Sequence, residues 1–235
     1  RPPTGPQGEP LPESLVRTEA GQLQRLYHGT SNDFPDFSLG DADPKALYGP
    51  GIYMTASPEI ASGYAKTQLK AGEEVLHRTE TLTAMERAKV QWPDSLIVKT
   101  KEGYELRPNI AAPQVRPVYA DLRRPFDING GVSSEAIAEL QQALPVQAQS
   151  TFLTDLASRQ HGPTAQGWEV YVSLEQSLGR DRAAVNDLLQ NAGYDGIKHI
   201  GGGMTGNTPH QVYIAFSPEQ VYPSMTVDAL QGGTP

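Results

Sequence analysis

The chain has 235 residues, enough for one large domain or a domain with an insertion, and a hydrophobic content of 37% beside 23 glycines and 20 prolines points to a folded core with long loops. A net charge of -8 gives it no general attraction to nucleic acid or anionic membranes. The lack of cysteine excludes disulfides, thiolate metal sites and cysteine nucleophiles, and no apolar run approaches the roughly 18 residues of a membrane span.

In chain order, "RPPTGPQGEPLPES" reads as a Pro-rich linker within an N-terminal extension over residues 1–23. It has no signal-peptide core, and its start at Arg reads as a piece of a longer protein. Residues 14–23 are polar and predict a helical turn or two. "LQRLYHGT" predicts a short strand ended by Gly29, and "SNDFPDFSLGDADPKALYGPG" predicts loop from its recurring Pro, Gly, Asp and Asn. "GIYMT" is a short β-type run. "SPEIASGYAKTQ" starts a helix: Ser57 can cap, Pro58 suits the first helical position and Glu59 favours the N-terminus.

A helix is predicted from about Glu73 through "MERAKVQW", then a hairpin over "SLIVKTKEGYELR" with "KEG" as its turn, then a strand over residues 115–122 closed by Pro125. "SSEAIAELQQAL" is a helix capped by Ser133 or Ser134, and residues 152–160 are helical. "WEVYVSL" alternates like a strand, but also suits the lead into a helix. "DRAAVNDLLQNAGYDGIKHI" predicts a helix stopped by Gly193 and a strand from about Asp195. "GGGMTGNTP" reads as a mobile loop, "HQVYIAF" as the last strand, "SPEQV" as a turn and residues 226–235 as a tail. Strands at both ends with helices between them make the class α+β.

Three short stretches carry the chemistry. Alone, "YHGT" is a strand-end turn with a structural His, and a Tyr pair is core packing. Together they suggest more. Glycines flank His28 and precede Tyr53, so backbone can approach a ligand closely, and Tyr53 and Tyr64, on a strand and the adjoining helix, can sandwich a flat aromatic group. "HQVYIAFSPEQV" can close the site. His77, His161 and His199 have no metal-like spacing and read as packing or solvent-facing residues, so no metal site is expected. Arg123 and Arg124 read as a solvated pair. The segment 130–190 reads as a helical insertion, able to act as a lid or an acceptor surface.

These motifs resemble the ADP-ribosyltransferase superfamily, in its diphtheria-toxin and poly(ADP-ribose)-polymerase branch. His28-Gly29-Thr30 matches the first motif. Gly51-Ile52-Tyr53, with Thr55 after it and Tyr64 eleven positions on from Tyr53, matches the second, and Val212-Tyr213-Ile214-Ala215-Phe216 with Gln220-Val221 matches the third. "NAGYDGIKHI" and "PVYADLRRPFDI" look like bacterial and phage-borne versions, such as the transferase domains of polyvalent mobile-element proteins and toxin effectors. The resemblance covers roughly residues 24–224 and implies a split antiparallel β-sheet core with a helical insertion, in a domain over 24–225.

By that resemblance the chain is a mono-ADP-ribosyltransferase, of the glycosyltransferase class, with NAD as substrate and a macromolecule as acceptor. His28 would bond the ribose near the nicotinamide, Gly29 would hold the carboxamide with help from Thr30, and Tyr53 and Tyr64 would stack around the ring, with Gly51 and Thr55 in the same pocket. Breaking the nicotinamide–ribose bond builds positive charge on the sugar, which the site must shield while it directs a nucleophile.

The departure is the third motif, where Val212 stands in place of the family's Glu. Gln211 is one candidate replacement, although strand alternation turns it away unless a bulge intervenes. His210, on the face of Val212, is the other, and Asp195 and Glu219 are the acids close in sequence. The departure argues against polymer synthesis. Alternatives are an NAD glycohydrolase, a non-catalytic module that binds NAD, ADP-ribose or a protein, and, more distantly, an RNA-damaging toxin. The acidic balance favours a protein acceptor over nucleic acid. A bacterial toxin or effector further implies a cognate immunity protein, a monomeric domain of a larger chain, no membrane partner, and action in the cytoplasm of the producing or target cell after delivery by secretion or phage.

Overall fold

The computed structural model describes residues 2–5, 9–30, 36–43, 46–67, 75–93, 95–100, 102–107, 114–202 and 209–231. The chain opens with β1 (Leu26–Thr30), β2 (Ile52–Thr55) and helix α1 (Pro58–Thr67). A small module follows: β3 (His77–Thr79), α2 (Leu82–Lys89), β4 (Leu96–Thr100) and β5 (Gly103–Arg107), with the strands in the order β3-β5-β4. Then come β6 (Gln114–Ala120), β7 (Pro125–Asp127), β8 (Gly131–Val132), helices α3 (Ser134–Ala143) and α4 (Val146–Arg159), β9 (Ala165–Gln166), and helices α5 (Gly167–Ser177) and α6 (Arg182–Asn191). β10 (Gly196–Gly201), β11 (His210–Ala215), β12 (Val221–Pro223) and α7 (Ser224–Leu230) complete it.

Among the described residues the main sheet has seven strands in the order β12-β6-β1-β2-β11-β10-β7, antiparallel except for the parallel pair β10 and β7. Period-two alternation divides its side chains between two cores. Val212, Ile214 and Phe216 turn to the face covered by α3 to α6, with Phe152, Tyr171, Leu174 and Leu189. Tyr213 and Ala215 turn to the other, with Leu26, Ile52, Met54, Val118 and Val221. Residues of the segment 130–190 therefore build much of this core. β1 pairs with β6 over five residues and β2 with β11 over four, yet β1 meets β2 only at Tyr27 and Thr55. The sheet is split there, between the two strands that carry the first two motifs.

Several expectations are corrected. Residues 11–23 are no linker: Leu11 and Val16 are buried, and Arg17 donates to the carbonyls of Leu11, Pro12, Ser14 and Gly21. Residues 14–23 form no helix, being closed instead by a bridge between Arg17 and Leu23. "WEVYVSL" lies in α5, and residues 77–79 form a strand before α2 begins. The C-terminal tail is in part α7, whose Val227 is fully buried and whose Asp228 accepts from Tyr119 at 2.9 Å. Residues 203–208, expected as a mobile loop, lie outside the described residues, as do 73–74 of the helix predicted there. Among the described residues no helix is long and apolar enough to cross a membrane.

Candidate active site

The split is closed by a side chain. His28 on β1 places Nδ1 2.8 Å from the backbone carbonyl of Tyr53 on β2, taking the place of a ladder hydrogen bond. A carbonyl only accepts, so Nδ1 carries the hydrogen and, in the neutral ring, Nε2 is the acceptor nitrogen. Burial holds the His28 pKa below its ordinary value, so the ring is neutral at pH 7. The edge of its ring meets Phe37, with centroids 5.1 Å apart.

Gly29, the next residue, turns to the opposite face, under α1. A Cβ there would sit 1.8 Å from the carbonyl oxygen of Ala61, so only glycine lets this helix lie against β1. α1 starts as expected: the hydroxyl of Ser57 accepts from the amide of Ile60 at 3.2 Å, and the buried Thr55 accepts from the amide of Ser57 at 3.3 Å. Thr30 is buried as well. At Gly51 a side chain would run into Ile214, so that glycine lets β2 begin close against β11. Tyr64, 40% exposed on α1, meets the ring of His210 at 6.5 Å.

Tyr53 is half-buried, and its hydroxyl is fully engaged. It accepts from the amide of Tyr48 at 3.0 Å and donates to the carbonyl of Gly49 at 2.9 Å. Burial raises its pKa far above the ordinary tyrosine value. The phenol is thus no proton carrier, and its ring is what the site can use.

Tyr27, Thr55, Val212 and His199 form one row across β1, β2, β11 and β10. Val212 is 4% exposed in the middle of this row. His210 shares its face and pairs with Gly201. Gln211 does not: the β10–β11 register runs without a bulge, and the Gln211 amide donates to the His199 carbonyl at 2.8 Å on the other face. Asp195 and Glu219 lie beyond the far end of β11 from Val212. Asp195 accepts from the amides of Arg123 and Arg124, and Glu219 from the hydroxyl of Ser217. Gln220 of the third motif donates to the carbonyls of Asp195 at 2.7 Å and Asp121 at 3.4 Å, which makes it a clasp between strand ends. Arg123 and Arg124 are paired, with Asp121 and Glu13 and with Glu139.

Three residues of the site escaped the sequence reading. His199 is 5% exposed, with its ring 4.8 Å from that of Tyr48; burial and then the neighbouring His210 lower its pKa. Tyr48 packs edge-on against Tyr171 at 5.1 Å. Asn186 of α6 donates to the carbonyls of Tyr48 at 2.9 Å and Pro50 at 3.0 Å. Alternation along "GIKHI" against "HQVYIAF" was the signal that would have set His199 beside Val212. Nothing in the sequence linked Asn186 to a turn 136 residues away.

A split, mainly antiparallel sheet with helices α3 to α6 against one face is the α+β core that the resemblance implied. Residues 18–224 match the family described as ADP-Ribosyltransferase in polyvalent proteins, and the chain belongs to that family. No curated protein and no solved structure matches the chain.

Proposed function

We propose that the chain is a mono-ADP-ribosyltransferase that moves ADP-ribose from NAD to a macromolecular acceptor. One observation carries the reading: His28 is fixed across the sheet split by its bond to the Tyr53 carbonyl, in the tautomer whose Nε2 can accept from a ribose hydroxyl. In this reading Gly29 and Thr30 hold the carboxamide, and Tyr53 and Tyr64 flank the nicotinamide. The bond between the anomeric carbon and the nicotinamide nitrogen breaks, and its electron pair leaves with nicotinamide. The acceptor's nucleophile then bonds to the anomeric carbon and loses a proton. The imidazole we assign to take that proton is His210, on the Val212 face beside Tyr64; the His28 ring lies on the other face, with Leu26 and Phe37, and in this reading meets the ribose from the gap between β1 and β2.

With valine where a carboxylate would grip the ribose, the reading is of single transfer, not of chain growth. We further assign the domain to an effector or toxin of a polyvalent protein with a protein acceptor, which the net charge of -8 supports. The same Val212 favours a second reading, an NAD glycohydrolase with water as the acceptor. Labelled NAD and a cell lysate separate them. Label that survives nuclease and is released by protease supports transfer to protein, the reverse supports nucleic acid, and nicotinamide release with no labelled macromolecule supports the glycohydrolase. His28→Ala is expected to lower nicotinamide release, and any labelling, roughly 100-fold; unchanged release sinks both readings.

A further inference from the structure

Helix α6 holds the turn that leads into Tyr53. Asn186 is 2% exposed in the middle of that helix, where asparagine is a weak helix former. Both of its amide hydrogens leave the helix, to the carbonyls of Tyr48 and Pro50. One turn earlier, Arg182 donates to the carbonyl of Ala46 at 3.0 Å and is itself held by Glu175 at 3.1 Å. Gly49 lies between these anchors with φ +78, and a Cβ on it would sit 2.8 Å from both the Arg182 carbonyl and the Asn186 nitrogen. From the other side the Tyr53 hydroxyl bonds the amide of Tyr48 and the carbonyl of Gly49. Residues 46–50 are therefore gripped between α6 and the phenol of Tyr53.

We propose that Asn186 is a positioning residue for the nicotinamide end of the site. It fixes the turn, the turn fixes the Tyr53 hydroxyl, and the hydroxyl fixes the ring that walls the pocket. This rests on the NAD reading above. Asn186 touches no substrate, and its effect is specific to one end of the dinucleotide. ADP-ribose has every part of NAD except nicotinamide, so it separates positioning from general loosening of the fold.

The test measures binding of NAD and of ADP-ribose by calorimetry, and hydrogen exchange at the Tyr48 amide, in the intact chain and in Asn186→Ala, Asn186→Asp and Tyr53→Phe. Tyr53→Phe cuts the same chain of bonds without touching α6, so it carries the test should either Asn186 variant fail to fold. Each variant is expected to weaken NAD about tenfold and to speed exchange at Tyr48, with ADP-ribose affinity unchanged. Combining Asn186→Ala with Tyr53→Phe is expected to cost no more than the larger single loss, because both act on one chain of bonds. Equal losses for both ligands, unchanged NAD affinity, or losses that add in the double variant overturn the proposal. Failure of the NAD reading is seen differently, as wild-type protein that binds neither ligand.

Discussion

At the residue scale the site depends on how side chains are held more than on which ones are present. His28 is neutral because burial penalises its charged form, and its carbonyl bond to Tyr53 sets the tautomer. The sign follows. With the folded pKa below the ordinary 6.5, this group contributes its full stability above pH 6.5 and loses it as pH falls through the folded value. An NMR titration is expected to place the His28 midpoint below 6.5, and a midpoint at or above that value contradicts the assigned burial.

Val212 is a buried packing residue in the row with Thr55 and His199. Val212→Ala is expected to cost about 2 kcal/mol of stability in denaturant melts and to leave the rate of nicotinamide release within about threefold. A loss of release larger than the loss of fold would give Val212 a chemical role. His28 and Val212 were legible in the sequence because motif spacing and strand alternation are local. Gln211 was legible as doubtful for the same reason: alternation turned it away, and the unbroken register kept it there.

At the element scale the close seating of α1 on β1 is the feature most sensitive to one atom. Gly29→Ala sets a Cβ against the carbonyl of Ala61, so either strand or helix must shift. The expected result is a stability loss of about 3 kcal/mol in denaturant melts, together with loss of NAD binding by calorimetry as Tyr64 moves with its helix. An alanine variant as stable as wild type would show that α1 is not seated there.

Local signals did well where a cap or a stop was written plainly. Ser133 accepts from the amide of Ala136 at 3.2 Å, and Gly193, at φ +83, follows the end of α6. They failed where the element depended on distant partners. "WEVYVSL" alternates, yet Val170, Tyr171 and Leu174 are all buried on a helix wrapped by neighbours, and its start is marked by Glu169 accepting from the amide of Gln166, not by a serine cap. Residues 77–79 are a strand because β5 pairs with them, a partner that local periodicity does not reveal.

At the scale of the whole molecule, both terminal stretches are parts of the fold. Leu11, Tyr119 and Val227 form a small core of their own, and Asp228 of α7 accepts from Arg25 and Tyr119. Composition hid this, since a Pro-rich start and a polar end read as solvent-exposed, while burial here comes from a few apolar residues meeting across the sheet. Val227→Ala is expected to lower stability by about 2 kcal/mol, measured by denaturant melts, and to leave NAD affinity unchanged, because α7 packs on β12 and β6, away from the split. A matched fall in affinity would couple the two regions.

The sheet split itself, with a His strand on one side and a Tyr strand on the other, is where the motifs of the sequence and the strands of the fold meet. The most direct test of the account is nicotinamide release from NAD by the wild-type chain and by His28→Ala. Measurable release is expected from the wild type and a roughly 100-fold lower rate from the variant, with the fold intact by circular dichroism. No release by the wild type, or equal release by the two, would contradict it.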